Sequence, residues 1–321
     1  MNPGLHDTLQ AMGPQAGHFV DLWRIFLVIC MVVFGAVLAA LLLALRRAPR
    51  VDVPVPPDLR TVNQPEPGPR RHVIVAVTAA VLGLLALLVA SVFTDRALAR
   101  LPLKDAIHIE VTGHQWWWTV KYLGDPQDTF VTANEIHVPV GRPVIVQLKS
   151  DDVIHSLWVP SLAGKKDLIP GRTAVMTFRA DQPGLYRGQC AEFCGLQHAF
   201  MAFNVQAEPP EQFEAWRKQQ LTPPAPPADA GALRGQAVFQ SSSCAMCHAV
   251  AGTLAGAQHA PDLSHVASRQ TLAAGTLPNT PAQLAAWIAD PQKFKPGTTM
   301  PATPLSGEDL AALVAYLGTL K

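Results

Sequence analysis

Gly188 to Met201 reads GQCAEFCGLQHAFM. Within twelve residues, from Cys190 to Met201, it places two thiols (Cys190, Cys194), an imidazole (His198) and a thioether (Met201). His155 stands thirty-five residues upstream of Cys190, after a strand-like run. Soft sulfur with imidazole suits copper. Zinc would accept the Cys and His ligands but has little use for a thioether. A mononuclear blue site needs one Cys; a second lets both thiolates bridge a pair of copper ions. A disulfide between Cys190 and Cys194 is the other reading of the pair, and it leaves the spaced His and Met without a role.

Outward from this stretch, residues 101–208 read as strands. Ile107, Ile109 and Val111 alternate with His108, Glu110 and Thr112; Val144, Val146 and Leu148 alternate with Ile145, Gln147 and Lys149; Met201, Phe203 and Val205 repeat the pattern. Period-two runs broken by turns such as Val140-Gly141-Arg142-Pro143 predict a small antiparallel barrel or sandwich. His108, His114 and His137 are expected as surface or core histidines, not ligands.

Two segments further upstream are apolar enough to span a membrane. Leu22–Leu45 is apolar apart from Arg24, and Val73–Phe93 is uncharged, each near the ~20 residues a span needs. Only 15% of the chain is charged, below the ~25% of ordinary globular proteins, in keeping with membrane-embedded sequence. Arg46, Arg47, Arg50, Arg60, Arg70 and Arg71 lie between the segments, and no Lys or Arg precedes Leu22. The positive-inside rule puts that loop in the cytoplasm and both ends outside. A cleaved signal peptide is disfavoured for the first segment, because no basic stretch precedes it and Arg46-Arg47 follows. Cys30, within the first segment, reads as a small apolar side chain. With 25 basic and 24 acidic residues there is no global field to attract nucleic acid.

Downstream, Leu221–Ala230 holds Pro223, Pro224, Pro226 and Pro227 and reads as an extended tether. Residues 231–321 read as helical, with Ser306 and Asp309 resembling a capping box. There Cys244-Ala245-Met246-Cys247-His248 is a C-x-x-C-H run, the attachment signature of c-type haem. The adjacent His supplies an axial nitrogen, and Met300, in a Pro-flanked loop, is the natural second ligand. Met246 is a poor axial candidate; His259 and His265 are weaker alternatives to Met300 and read as loop histidines.

The first cluster resembles subunit II of the haem-copper cytochrome c oxidases, the subunit that carries the binuclear CuA centre. The family pattern is a His, then C-x-E-x-C-x-x-x-H-x-x-M, and His155, Cys190, Glu192, Cys194, His198 and Met201 match it without gaps. The second cluster resembles a class I cytochrome c fused at the C-terminal side; Gly235, Phe239, Pro261 and Tyr316 match that family too. The implied fold is a multidomain membrane protein: an N-terminal segment with a two-helix transmembrane hairpin (1–100), a cupredoxin-like β-barrel (101–208), a Pro-rich linker (209–230) and an all-α cytochrome c domain (231–321). The implied roles are Cys190 and Cys194 as bridging ligands, His155 and His198 each on one copper, and Met201 with the Glu192 carbonyl as weak axial ligands. Cys244 and Cys247 would attach haem c, with His248 and Met300 axial. Gly113–Trp118 reads GHQWWW, and the resemblance makes Trp116 the residue through which electrons enter. Lys165–Arg172, KKDLIPGR, resembles the segment that faces subunit I, and the Glu192 side chain matches an interface magnesium ligand.

The implied function is to pass electrons from an external donor, such as cytochrome c or a membrane reductase, through haem c and CuA to a haem in subunit I. Oxygen is reduced there to water with proton translocation. Subunit I, with haem and CuB, and subunit III would be partners. The bacterial plasma membrane would be the location, with both termini and both redox domains on the periplasmic side. One departure stands out. The family carries an acidic residue just before the second span, at the proton-path entrance, whereas here Arg70-Arg71-His72 fill that region and Glu66 is the nearest acid. Two other readings stand beside this one: the CuA and cytochrome c subunit of a nitric oxide reductase, and a membrane-anchored copper-delivery protein. A delivery protein has no need of Met201, the Trp run or a haem domain.

Overall fold

The computed structural model describes residues 5–48 and 67–321. The chain divides into two units, His18–Arg100 on one side and the residues up to Gly17 with Leu101–Lys321 on the other.

The smaller unit is helical. Helix α1 runs Pro14–Arg47 and α2 runs Pro67–Leu98; both are long and apolar enough to cross a membrane, and their most apolar windows bury nothing. The apolar stretches 22–45 and 73–93 lie inside these helices, which continue into polar flanks. Each starts at a proline, whose missing N–H costs nothing in the first turn. Arg46, Arg47, Arg70 and Arg71 lie at the inner ends. Arg50, Arg60 and Glu66 lie outside the described residues.

In the larger unit, ten strands form two five-stranded sheets. They are β1 (Ile107–His114), β2 (Trp117–Leu123), β3 (Phe130–Ala133), β4 (Glu135–Pro139), β5 (Val144–Ser150), β6 (His155–Trp158), β7 (Lys166–Leu168), β8 (Ala174–Phe178), β9 (Gly184–Cys190) and β10 (Ala202–Glu208). One sheet is ordered β3-β2-β1-β5-β8 and the other β4-β10-β9-β6-β7. The alternation read from the sequence is the alternation of burial: Ile109, Val111, Val144, Val146 and Leu148 are fully buried between the sheets. This is a cupredoxin-like barrel. It is not wholly antiparallel, because β1 pairs with β5 and β4 with β10 in parallel. The chain leaves β1 through β2 and β3, crosses to the other sheet in β4, and returns in β5. Side-chain periodicity is the same for either direction and cannot report this.

Within 209–230, helix α3 (Pro210–Leu221) packs its Phe213, fully buried, into the barrel core, and Thr222–Asp229 carries no regular secondary structure. The α-helical module follows: α4 (Ala230–Ser241), α5 (Cys244–Cys247), a two-residue hairpin β11 (Thr271–Leu272) with β12 (Leu277–Pro278), α6 (Pro281–Ala289), α7 (Pro291–Phe294) and α8 (Gly307–Leu317). The first and last of its helices cross at Gly235. A Cβ there would lie 2.0 Å from the Ala312 carbonyl oxygen, so only glycine permits the approach. Ser306 caps α8 by accepting the Asp309 N–H and donating its hydroxyl to the Asp309 carboxylate.

The two modules of the larger unit touch. The outer face of β10, which alternation leaves to solvent, is covered: Ala202 and Asn204 are buried, and Ala202 N–H donates to the Ala274 carbonyl at 3.0 Å. Beside it, Gln270 N–H donates to the Glu135 carboxylate at 2.7 Å. Glu135 is buried next to His137, whose ring stacks on Trp216 at 4.1 Å with a 6° interplanar angle.

His137 Nδ1 also lies 3.2 Å from the Glu208 carboxylate. Burial alone would lower the His137 pKa, but hydrogen bonds to Glu135 and Glu208 outweigh it and raise it above 6.5. A raised folded-state pKa gives stability that is complete below about 6.5, the value of a free histidine, and is lost as pH rises through the folded pKa. The prediction is that the excess melting temperature of wild type over His137→Phe is largest below about pH 6.5 and shrinks above it. A difference that does not change with pH would contradict the charged pairing.

Candidate metal and haem-attachment sites

The copper-type cluster sits where β9 ends and β10 begins. Cys190 closes β9, Met201 precedes β10, and Cys190 N–H donates to the Met201 carbonyl at 2.9 Å, so the eleven-residue excursion returns to its origin. Gly195, at φ +114°, turns the loop, and a short 3-10 turn at His198–Phe200 brings it back. Strand β6 lies beside β9, with Leu157 opposite Cys190, which carries His155 to the same place. Gly113 leaves room for it: a Cβ there would stand 2.8 Å from the imidazole Cδ2.

The result is a compact donor set. Cys190 Sγ lies 3.8 Å from Cys194 Sγ and 3.9 Å from His155 Nδ1. Cys194 Sγ lies 3.7 Å from His198 Nδ1 and 3.8 Å from Met201 Sδ. The Glu192 carbonyl oxygen is 3.2 Å from Cys190 Sγ. Both thiols are free, and His155, Cys190 and Cys194 form a group whose donor atoms all lie within 4.8 Å of one another. Cys190, Cys194, His155 and Met201 are buried; His198 and Glu192 are half-buried.

Two thiols this close share a proton. The hydrogen bond with Cys194 comes first among the causes that hold Cys190 well below the usual thiol range, against the cost of burial, and that with His155 adds to it. The same bond, followed by burial, pushes Cys194 up. Both could ionise only with the positive charge that a bound metal would supply. The donors therefore fit a pair of soft metal ions better than one hard ion.

One further residue escaped the sequence reading. Asp152 accepts a hydrogen bond from His155 Nε2 at 2.7 Å, which fixes the tautomer and leaves Nδ1 to face Cys190. Burial raises the Asp152 pKa, but the hydrogen bonds from His155 and from the Val153 and Gln115 N–H groups hold it below the usual carboxylate value. The signal was there in Asp151-Asp152-Val153-Ile154-His155, a carboxylate three residues before a candidate ligand. The Glu192 carboxylate is paired with Lys165 at 3.2 Å.

The three tryptophans part company. Trp118 is fully buried against Phe203 and His155, and Trp117 stacks on His114 at 4.2 Å. Trp116 Nε1–H donates to the Cys194 carbonyl at 3.0 Å, and the Gln115 amide donates to the same oxygen at 2.8 Å.

Trp116 also lines a cavity of about 430 Å³ with Cys244, Cys247, His248, Met300, Trp287, Ile288 and Leu317. Its volume is in the ~300–1,000 Å³ range of cofactor pockets. His248 Nδ1 lies 2.7 Å from the Pro261 carbonyl, which only accepts, so Nδ1 carries the proton and Nε2 is free to ligate. Burial lowers the His248 pKa, which keeps that nitrogen available. Free Cys244 and Cys247, with Met300 on the same cavity, complete a donor set that fits covalent haem. His259 lines the cavity from an exposed position; His265 is buried and is not among the lining residues.

Comparison with known proteins bears on both modules. Residues 127–208 match the family described as cytochrome c oxidase subunit II, periplasmic domain, and residues 232–321 match cytochrome c. Cytochrome c oxidase subunit 2 of Alkalihalophilus pseudofirmus is 42% identical over 218 residues, 68% of this chain and 62% of that relative. The Bacillus subtilis protein of the same name is 33% identical over 229 residues, 68% of this chain and 63% of that relative. The matches thus span somewhat under two thirds of the relatives' length. The periplasmic domain of subunit II of cytochrome oxidase from Bradyrhizobium japonicum is 31% identical, covers 37% of this chain and 96% of its own, and has a TM-score of 0.35. On the sequence matches, this chain carries a cytochrome c oxidase subunit II periplasmic domain with a cytochrome c domain behind it.

Proposed function

We propose that the chain is the electron-accepting subunit II of a haem-copper terminal oxidase. The observation that carries this is the pairing of two donor sets across one residue, with Trp116 reaching the Cys194 carbonyl on one side and the haem-type cavity on the other. When bound, the metal groups would supply one-electron chemistry, from an external donor through haem c and a copper pair to a haem in oxidase subunit I, where oxygen is reduced to water with proton translocation.

The chain's residues hold, insulate and orient. Cys190, Cys194, His155, His198 and Met201, with the Glu192 carbonyl, would hold the copper pair. Cys244, Cys247, His248 and Met300 would hold haem c. Burial of the sulfurs excludes water, which limits solvent rearrangement on charge transfer. Asp152 holds His155 in one orientation, and Trp116 is the point where electrons reach the copper module. The Glu192 carboxylate, expected at an interface magnesium, pairs with the Lys165 ammonium instead.

Arg46, Arg47, Arg70 and Arg71 at the inner ends of two apolar helices support a cytoplasmic loop, with both redox modules on the outer face of a bacterial plasma membrane. Subunits I and III would be its partners. The nitric oxide reductase reading shares both donor sets, and an assay with each acceptor separates the two. A copper-delivery protein would hold Cu(I) only and take no haem.

The test is metal content and spectrum of the full chain. Purified from copper-replete cells, it should carry two coppers and one covalent haem, with a mixed-valence copper spectrum. Copper held singly at saturation would sink the binuclear reading. A long axial thioether tunes potential more than it holds metal, so Met201→Leu should keep most copper while Cys194→Ser disrupts the centre. Equal, total loss in both would contradict this division of roles. Asp152→Asn should weaken copper binding about 10–100-fold, the usual cost of losing the carboxylate behind a ligating histidine. Unchanged affinity in a copper titration would remove Asp152 from the site.

A further inference from the structure

Among the described residues no carboxylate pairs with the Lys295 ammonium, yet the residue is 2% exposed. It follows α7 and opens the Lys295–Met300 loop. Its Nζ donates to three backbone carbonyls: Trp116 at 3.0 Å, Phe200 at 2.9 Å and Ala273 at 3.2 Å. The first two belong to the copper module, one on the residue that lines the haem-type cavity and the other next to Met201. The third belongs to the α-helical module. One ammonium therefore ties three chain segments from two modules at the place where the two sites come nearest. Beside it, the Gln197 amide donates to the Pro296 carbonyl at 2.6 Å.

Burial lowers the Lys295 pKa to about 8. Hydrogen bonds from Nζ to three carbonyls favour the charged form. Such a group is costly to bury unless its donors are all satisfied, and here each has an acceptor. Separation of the modules would strip two of the three acceptors and leave the Trp116 and Phe200 carbonyls to find other partners. The same interaction that makes the buried charge tolerable makes the docked arrangement specific.

We propose that Lys295 is a positioning residue that latches the haem module onto the copper module, so that electrons cross between two docked sites and not between tethered, freely diffusing domains. This rests on the electron-transfer reading above and deepens it. On that view the proline-rich connection is incidental to the encounter, in contrast to a tether that acts by effective concentration.

The experiment uses the full chain in detergent, loaded with copper and haem, with a protease site inserted after the exposed Ala225. Once cut, the wild-type halves should co-elute after dilution, and haem-to-copper transfer should stay as fast as in the uncut chain. Lys295→Met keeps an apolar stem and removes the ammonium. Its cut halves should separate, and transfer should slow by about tenfold or more at micromolar concentration and become concentration-dependent, with both absorption spectra native. A variant that merely loosened the haem loop would alter the haem spectrum and leave the halves together.

Wild-type halves that part on dilution, or cut Lys295→Met halves that stay together with unchanged transfer, would overturn the latch and leave the proposed function standing. Wild type without copper or haem would overturn the proposed function itself. If Lys295→Met loses its haem spectrum, acylation of the intact wild type decides. Lys295 should react far more slowly than the exposed Lys104 and Lys293, and equal rates would overturn the latch.

Discussion

The hydrogen bond from the Cys190 N–H to the Met201 carbonyl closes the loop that carries four of the copper-type donors and faces the second module. Strands β9 and β10 are antiparallel neighbours, so a chain that leaves one and enters the other must return to within one ladder rung. That constraint turns a spacing in sequence into a volume in space. With the Gly195 turn and the 3-10 turn at His198–Phe200, the closed loop gathers Cys190, Cys194, His198 and Met201 around a common centre, and β6, lying beside β9, adds His155. The barrel supplies rigidity by burying its sheet residues on both inner faces, a scaffold well suited to holding donor atoms at fixed distances.

The same loop is also a wall shared with the second module. Its Cys194 carbonyl takes hydrogen bonds from Trp116 and Gln115, its Gln197 reaches Pro296, and its Phe200 carbonyl takes the Lys295 ammonium. The carbonyls that complete one side of the copper-type loop are thus satisfied from the cavity side. Local structure, packing and proposed function converge there, since the groups that stabilise the loop also bring the two donor sets together.

Much of this was legible in the sequence, and the reason is locality. Four donors within twelve residues, and a C-x-x-C-H run, need no tertiary information to stand out. The period-two runs of β1 and β5 placed Ile109, Val111, Val144, Val146 and Leu148 in the core because burial on one face is all that alternation encodes. What escaped was non-local. Parallel pairing of β1 with β5 leaves no trace in periodicity. Asp152 was hidden because a carboxylate in a turn is usually solvated, and only the fold brings it to His155. The covered outer face of β10 and the buried Lys295 follow from contact between modules, which composition cannot report; a lysine near a proline and a glycine reads as surface. The tether read from Leu221–Ala230 starts where α3 ends, and what the sequence did not show is that Phe213 of α3 joins the barrel core.

In the proposed site, Cys190 and Cys194 would hold two coppers as one electronic unit. Electron paramagnetic resonance of the copper-loaded chain, at the stage where it holds one unpaired electron, measures this directly. The expected hyperfine pattern is that of an electron shared equally by two copper nuclei, and it should collapse in Cys194→Ser. A pattern from a single copper nucleus in the wild-type chain at full copper loading would contradict it.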